Sequence, residues 1–276
     1  MRYIIMKNAL FRISHLVPVI CIAIVLFYNC NKNPAEINAF DPLAYDSVRI
    51  ALYIDDAVWP NCKTYTENIL KKIGLPYRIV NADSVLNNRL LYYSVLIMPG
   101  GRPDLYEQNL GRDGLDIINN YVSRGGGYIG ICGGAFLAAQ NNIWRGWAGE
   151  PRICLRYNGQ LGIFTGAADG PIEEFAPDYQ DFNCGINIIE KDHFITSEIN
   201  ETIYYLYDHG PMFLLSDNSV DLALGNSVNG NKTLLLVTQY NNGRIFLSGG
   251  HPEVSSDPMC TILVEKAIIW CSKQDY

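Results

Sequence analysis

The sequence predicts one α/β domain: a parallel sheet covered by helices on both faces, interrupted by an antiparallel, loop-rich insertion in the middle of the chain. Three observations predict it. Short strand-like runs alternate with helical stretches, the order that builds parallel sheets. Those runs are continuously apolar rather than alternating, as strands buried on both faces are. Hydrophobic residues make up 49% and charged residues 18% of the 276 residues, enough apolar surface for one large core.

The N-terminus stands apart. Met1 to His15 carries Arg2, Lys7 and Arg12 and no acid, and Leu16 to Tyr28 (LVPVICIAIVLFY) is uninterrupted apolar sequence. A basic start before a short apolar run is the layout of an export signal. Cys30 closes the run ahead of a polar stretch, the arrangement of a lipidated bacterial lipoprotein start. Residues 1–29 are therefore expected to be an export signal or membrane anchor, 30–46 a polar tether, and 47–276 the folded domain. The expected location is the cell envelope, attached to the membrane through this N-terminus.

Within the domain, Val48 to Ile54 reads as the first strand and Asn61 to Ile73 as a helix stopped by Gly74. Tyr77 to Val80 and Ser94 to Met98 (SVLIM) are strands, the second running into Pro99-Gly100-Gly101. Leu115 to Val122 is helical and Arg124 to Gly127 breaks it. Tyr128 to Ile131 is an apolar strand entering Cys132-Gly133-Gly134, which reads as a helix start. Ile153 to Leu224 is rich in Tyr, Asn, Gly and Pro and reads as antiparallel strands and loops. Asn241-Asn242-Gly243 between two apolar runs signals a hairpin, and Met259 to Trp270 a closing helix.

Charge and cysteine usage exclude several functions. With 21 Lys+Arg against 28 Asp+Glu the net charge is -7, and no basic run offers a phosphate-backbone footprint, so nucleic acid is excluded as a partner. None of the eight cysteines forms a CxxC pair, which rules out a zinc ribbon; no metal site or cofactor motif is read. In an exported chain one or two disulfides are expected, with Cys154 and Cys184 the first candidate pair.

The chemistry concentrates after three strands. Gly130-Ile131-Cys132-Gly133-Gly134 is G-x-C-x-G, the cysteine counterpart of the serine nucleophile elbow, whose crowded turn needs tiny residues at Gly130 and Gly134. It predicts Cys132 at positive φ with its sulfur towards His251, and a helix start that lowers the thiol pKa. In Gly249-Gly250-His251-Pro252-Glu253, His251 supplies a base and Glu253 the carboxylate that orients it. The turn at Gly101, with the N–H of Gly133, is a candidate oxyanion hole. Asp104, Tyr106, Tyr207 and His209 are weaker candidates for a substrate pocket, while His193 reads as a solvated loop residue.

MPGGRPDLY (Met98 to Tyr106), GGGYIGICGGAFLA (Gly125 to Ala138), YDHGPMF (Tyr207 to Phe213) and GGHPE (Gly249 to Glu253) occur in this order, and together they resemble the class I glutamine amidotransferase-like superfamily. Within it the chain most resembles the N-terminal domain of biotin-protein ligases and its stand-alone bacterial relatives. The resemblance implies a flavodoxin-like, doubly wound fold and a Cys132–His251–Glu253 triad. It departs from the glutamine-hydrolysing pattern where Ala135-Phe136-Leu137 stands in place of a substrate-holding Gln. The reading is thus an exported thiol hydrolase acting on a small-molecule or peptide amide, or another acyl bond, with no synthase or ligase domain in this chain. The alternative is a non-catalytic cell-surface module that binds a small molecule or glycan on the same fold.

Overall fold

The computed structural model describes residues 49–146, 155–158 (backbone only), 161–174, 181–217 and 220–273. The export segment, Cys30, the tether and Cys154 lie outside the described residues. In chain order the elements are β1 (Ile50–Tyr53), α1 (Pro60–Ile73), β2 (Tyr77–Val80), α2 (Ala82–Leu86), β3 (Val95–Met98), α3 (Pro103–Ser123), β4 (Gly127–Ile131), α4 (Gly133–Ala138) and β5 (Ala139–Trp144). They continue with β6 (Leu155–Asn158), β7 (Phe164–Gly170), β8 (Phe182–Ile188), β9 (Thr202–Tyr207), β10 (Met212–Leu214), β11 (Leu222–Ser227), β12 (Thr233–Tyr240), β13 (Gly243–Ser248) and α5 (Pro258–Cys271).

Nine strands form one sheet in the order β2-β1-β3-β4-β13-β12-β11-β8-β9. The first five pair in parallel, the doubly wound order, and the rest pair antiparallel. The expected flavodoxin-like α/β class is therefore the observed one. Successive residues of the parallel strands feed opposite layers. Ile50 and Leu52 join a core with Leu70 of α1 and Leu263 and Ile268 of α5, whereas Ala51 and Tyr53 join one with Leu110 and Ile118 of α3. Each such Ile or Leu side chain taken out of water contributes about 1.5–3 kcal/mol, so two-sided burial holds these short strands.

Local chemistry sets the ends. Gly74 closes α1 at φ +81, its N–H bonded to the Leu70 carbonyl. Asp257 caps α5 by accepting from the Met259 N–H at 3.0 Å, ahead of Pro258 at the first helical position.

Two helices differ from expectation. α3 begins at Pro103, well before Leu115, and runs through a kink at Gly111 (φ +58) to end at Ser123, ahead of the expected break at Arg124 to Gly127. α4 has only six residues before the chain leaves as β5, a largely polar strand without a strand-like pattern. The middle segment does more than insert loops. It extends the main sheet through β8, β9 and β11 and, together with the preceding β5, builds a second sheet, β10-β7-β5-β6. The antiparallel half also curls back on itself: Leu206 at the end of β9 accepts a 2.7 Å hydrogen bond from the His251 N–H, just beyond β13. No helix of the described residues is long and apolar enough to cross a membrane.

Candidate functional site

Three loops at the carboxyl ends of β3, β4 and β13 converge with the chain that follows β9. Cys132 leaves β4 at φ +49 and ψ −105. This half of φ space costs a side-chain-bearing residue about 1–3 kcal/mol. The surroundings hold it: the Cys132 N–H donates to the Ser248 carbonyl at 2.9 Å, and its own carbonyl accepts from Ala135 and Phe136 at 3.0 and 3.1 Å. The flanking glycines are required by close approach, since a Cβ on Gly134 would lie 2.1 Å from the Met98 carbonyl oxygen and one on Gly130 2.7 Å from the Gly134 oxygen. Gly101 and Gly133 meet backbone to backbone, with the Gly101 nitrogen 2.8 Å from where a Gly133 Cβ would be. As the first residue of α4, Gly133 has an N–H without an intrahelical partner.

His251 is 2% exposed. Its Nδ1 lies 2.8 Å from Glu253 Oε1; a carboxylate only accepts, which puts a proton on Nδ1. Nε2 is buried and completes no well-formed hydrogen bond, and neither does Glu253 Oε2. Asp104 is turned to Arg102 at the surface and Asp208 to His209, so neither replaces Glu253.

In this conformation the Cys132 thiol donates to the Asp208 carbonyl at 3.4 Å rather than to Nε2. Burial pushes its pKa up, while the charge and hydrogen-bonding capacity of His251 pull it back down. The expected lowered thiol pKa is therefore not what the structure shows: burial outweighs the pull of His251. Burial also opposes charge on His251, but Glu253 and Cys132 outweigh it and hold the imidazole well above its ordinary pKa.

A cleft of about 420 Å³ opens onto His251, lined by Trp59, Cys62, Tyr65, Asp181, Leu206, Asp208 and Val254 among others. None of the four weaker candidates is among its lining residues. Tyr106 is fully buried and donates to the Pro99 carbonyl at 3.0 Å, bracing the β3 turn. Tyr207, also fully buried, donates to the Gly210 carbonyl and accepts from the Ile172 N–H. Asp104 is exposed in its pair with Arg102. His209, at φ +57, pairs with Asp208 beside the nucleophile loop. His193 is part-buried, edge-on to Trp270 with ring centroids 5.1 Å apart, because α5 packs over its loop.

Sequence reasoning missed two contributors. The Asp208 carbonyl is a backbone group and leaves no residue-type signal. Cys62 stands in no motif of the sequence, yet its Sγ lies 3.9 Å from His251 Nδ1. Cys62, His251 and Glu253 bring ligand-type atoms within 4.8 Å of one another, all three residues buried. Cys62, Cys132, Cys184, Cys260 and Cys271 are free thiols; Cys154, the expected partner of Cys184, lies outside the described residues.

A doubly wound sheet with a G-x-C-x-G elbow facing a histidine and a glutamate defines a class I glutamine amidotransferase-like domain. Within that class the chain belongs to the biotin-protein ligase N-terminal family, whose model matches residues 78–267. An uncharacterized protein of Chlamydia muridarum is 25% identical over 229 residues, covering 80% of this chain and 85% of that protein. The biotin–protein ligase of Schizosaccharomyces pombe is 28% identical over 171 residues, covering 59% of this chain, but the match spans only 26% of the ligase. A glutamine amidotransferase from Thermotoga maritima superposes with a TM-score of 0.51 over 83% of this chain and 100% of its own, at 13% identity, a likeness of fold alone.

Proposed function

We propose that the domain is a thiol hydrolase acting on an amide or related acyl bond of a small molecule or peptide. The observation that carries this reading is the buried His251, with Nδ1 held by Glu253 at 2.8 Å and Nε2 unsatisfied, beside a cysteine kept at φ +49. Nε2 takes the Cys132 proton and the sulfur attacks the acyl carbon. The oxyanion is met by the Gly101 and Gly133 N–H groups. The imidazolium returns its proton to the leaving nitrogen as the C–N bond breaks, leaving a thioester on Cys132. Nε2 then deprotonates a water, which attacks the thioester and releases acid and thiol. Glu253 stabilises the imidazolium at both stages, in line with the raised His251 pKa.

The absence of Gln after the elbow, where Ala135-Phe136-Leu137 stands, argues for a substrate other than glutamine. Export and lipidation of Cys30 belong to the same proposal, and Cys30→Ser with fractionation and fatty-acid labelling tests them.

The catalytic step is tested with p-nitrophenyl acetate and chelator. Attack by Cys132 releases p-nitrophenolate and leaves an acetyl group on the sulfur. Peptide mapping should find that acetyl group on Cys132 and not in Cys132→Ala. Acetylation that ignores Cys132 would overturn the hydrolase reading and favour a binding module.

A further inference from the structure

Cys62 has no part in that mechanism, yet it is 5% exposed and approaches Nδ1, the imidazole nitrogen that Glu253 also uses. We propose that Cys62 Sγ, His251 Nδ1 and the Glu253 carboxylate form a binding site for a thiophilic divalent cation of the zinc class. One thiolate, one imidazole and one carboxylate are a borderline-soft donor set that suits zinc. The spacings are close to what such an ion needs. With bonds of about 2.3 Å to sulfur and about 2.0–2.1 Å to nitrogen and oxygen, a tetrahedron separates S from N by about 3.6 Å and N from O by about 3.3 Å. The structure has 3.9 Å and 2.8 Å. Those two pairs need shifts of about half an ångström or less, and the third, sulfur to carboxylate oxygen, lies within 4.8 Å and closes as the carboxylate turns towards the ion.

Two further observations point to a ligand rather than a packing accident. Glu253 Oε2 is fully buried without a partner, so the carboxylate has an unused acceptor where one is costly to leave empty. Gly100 packs against both donors: a Cβ there would lie 2.6 Å from His251 Cε1 and 2.7 Å from Cys62 Sγ. The cleft at Trp59 and Asp208 reaches Cys62 and His251, giving the ion a path in and room for a water as fourth ligand.

Binding would be regulatory. The ion displaces the proton of Cys62, and the single imidazole proton leaves Nδ1 and is taken up again, through solvent, at Nε2. Nε2–H cannot accept from Cys132, so the metal-loaded domain is switched off as a base. This consequence rests on the hydrolase reading; the binding does not.

The full chain, without a histidine tag, is titrated with Co²⁺ and then Zn²⁺. Expected is a sulfur-to-cobalt charge-transfer band that Zn²⁺ abolishes, absent in Cys62→Ala and retained in Cys132→Ala. Zn²⁺ affinity should fall at least about 10-fold in Cys62→Ala. No band, a band that survives Cys62→Ala, or one lost with Cys132→Ala would overturn the site. If Cys62→Ala does not fold, X-ray absorption of zinc-loaded Cys132→Ala decides: a shell without sulfur refutes, a shell with sulfur at about 2.3 Å supports. In the wild type, Zn²⁺ should slow acetylation of Cys132 at least about 10-fold, reversibly with chelator. Absence of acetylation altogether would sink the hydrolase reading and leave the cobalt result standing.

Discussion

The two halves of the main sheet bury their strands differently. In the parallel half, β1, β3 and β4 are buried at every position. In the antiparallel half, β8 and β9 alternate, with Ile203, Tyr205 and Tyr207 inside and Tyr204 half exposed. Two-sided burial makes a rigid platform whose loops all emerge at one end, and Cys132 and His251 stand there. One-sided burial leaves strands free to curve, and these curve far enough for Leu206 to bond His251 and for the Asp208 carbonyl to receive the Cys132 thiol. The platform carries Cys132 and His251, and the curved half closes over them.

The largest expected contrast is between thiols of the two halves. Burial pushes Cys184 of β8 up to about 12, with nothing opposing it, whereas His251 pulls Cys132 down. At neutral pH, Cys184 in the native protein should alkylate about 10³-fold more slowly than a free thiol of pKa ~8.5. Cys132 should be the faster of the two under mapped iodoacetamide kinetics, and the reverse order would erase the contrast.

Rigidity can be probed next. Gly134→Val sets a Cβ against the Met98 backbone, which cannot yield, and should cost about 3 kcal/mol or more in urea unfolding. In β8, Gly185→Ala meets only the side chains of Tyr204 and Val228, both about half exposed and able to move, and should cost less than about 1 kcal/mol. Equal losses would mean that the halves are equally rigid.

A smaller effect isolates the base. With chelator present, His251→Ala removes what holds the Cys132 pKa down, so its apparent pKa should rise and alkylation near pH 7 slow about 10-fold. Glu253→Gln should slow it less, because the imidazole stays. Rates unchanged in both variants would break the link between the loops of β4 and β13.

The smallest effect lies outside the site. Burial lowers the His193 pKa in the folded state, so the unfolded chain takes up this proton first as pH falls. Its contribution is fully present above the unfolded value of about 6.5 and is lost as pH drops through that value towards the folded one. The group is only part-buried, so solvent screening keeps the loss below about 1 kcal/mol. His193→Gln should flatten that portion of a stability-against-pH curve measured by urea denaturation, and an unchanged curve would place the dependence elsewhere.

The sequence by itself determined the parallel half and the grouping of Cys132, His251 and Glu253 at its loop end. Continuous apolar runs mark two-sided burial, and the elbow's glycines at 130 and 134 are demanded by contacts under 3 Å that no side chain tolerates. His251 and Glu253, two residues apart after a strand, were legible as a base with its carboxylate because their pairing is local. Only the tertiary structure decided the rest. Tyr106 and Tyr207 look like pocket residues in a motif, but their rings point into the core, and which way a loop side chain turns depends on what packs against it. Cys62 lies 189 positions before His251 and meets it only because β1 and β13 share a sheet. The thiol pKa was misread for the same reason: a helix start is visible in a local pattern, whereas desolvation is the sum of everything folded around the sulfur.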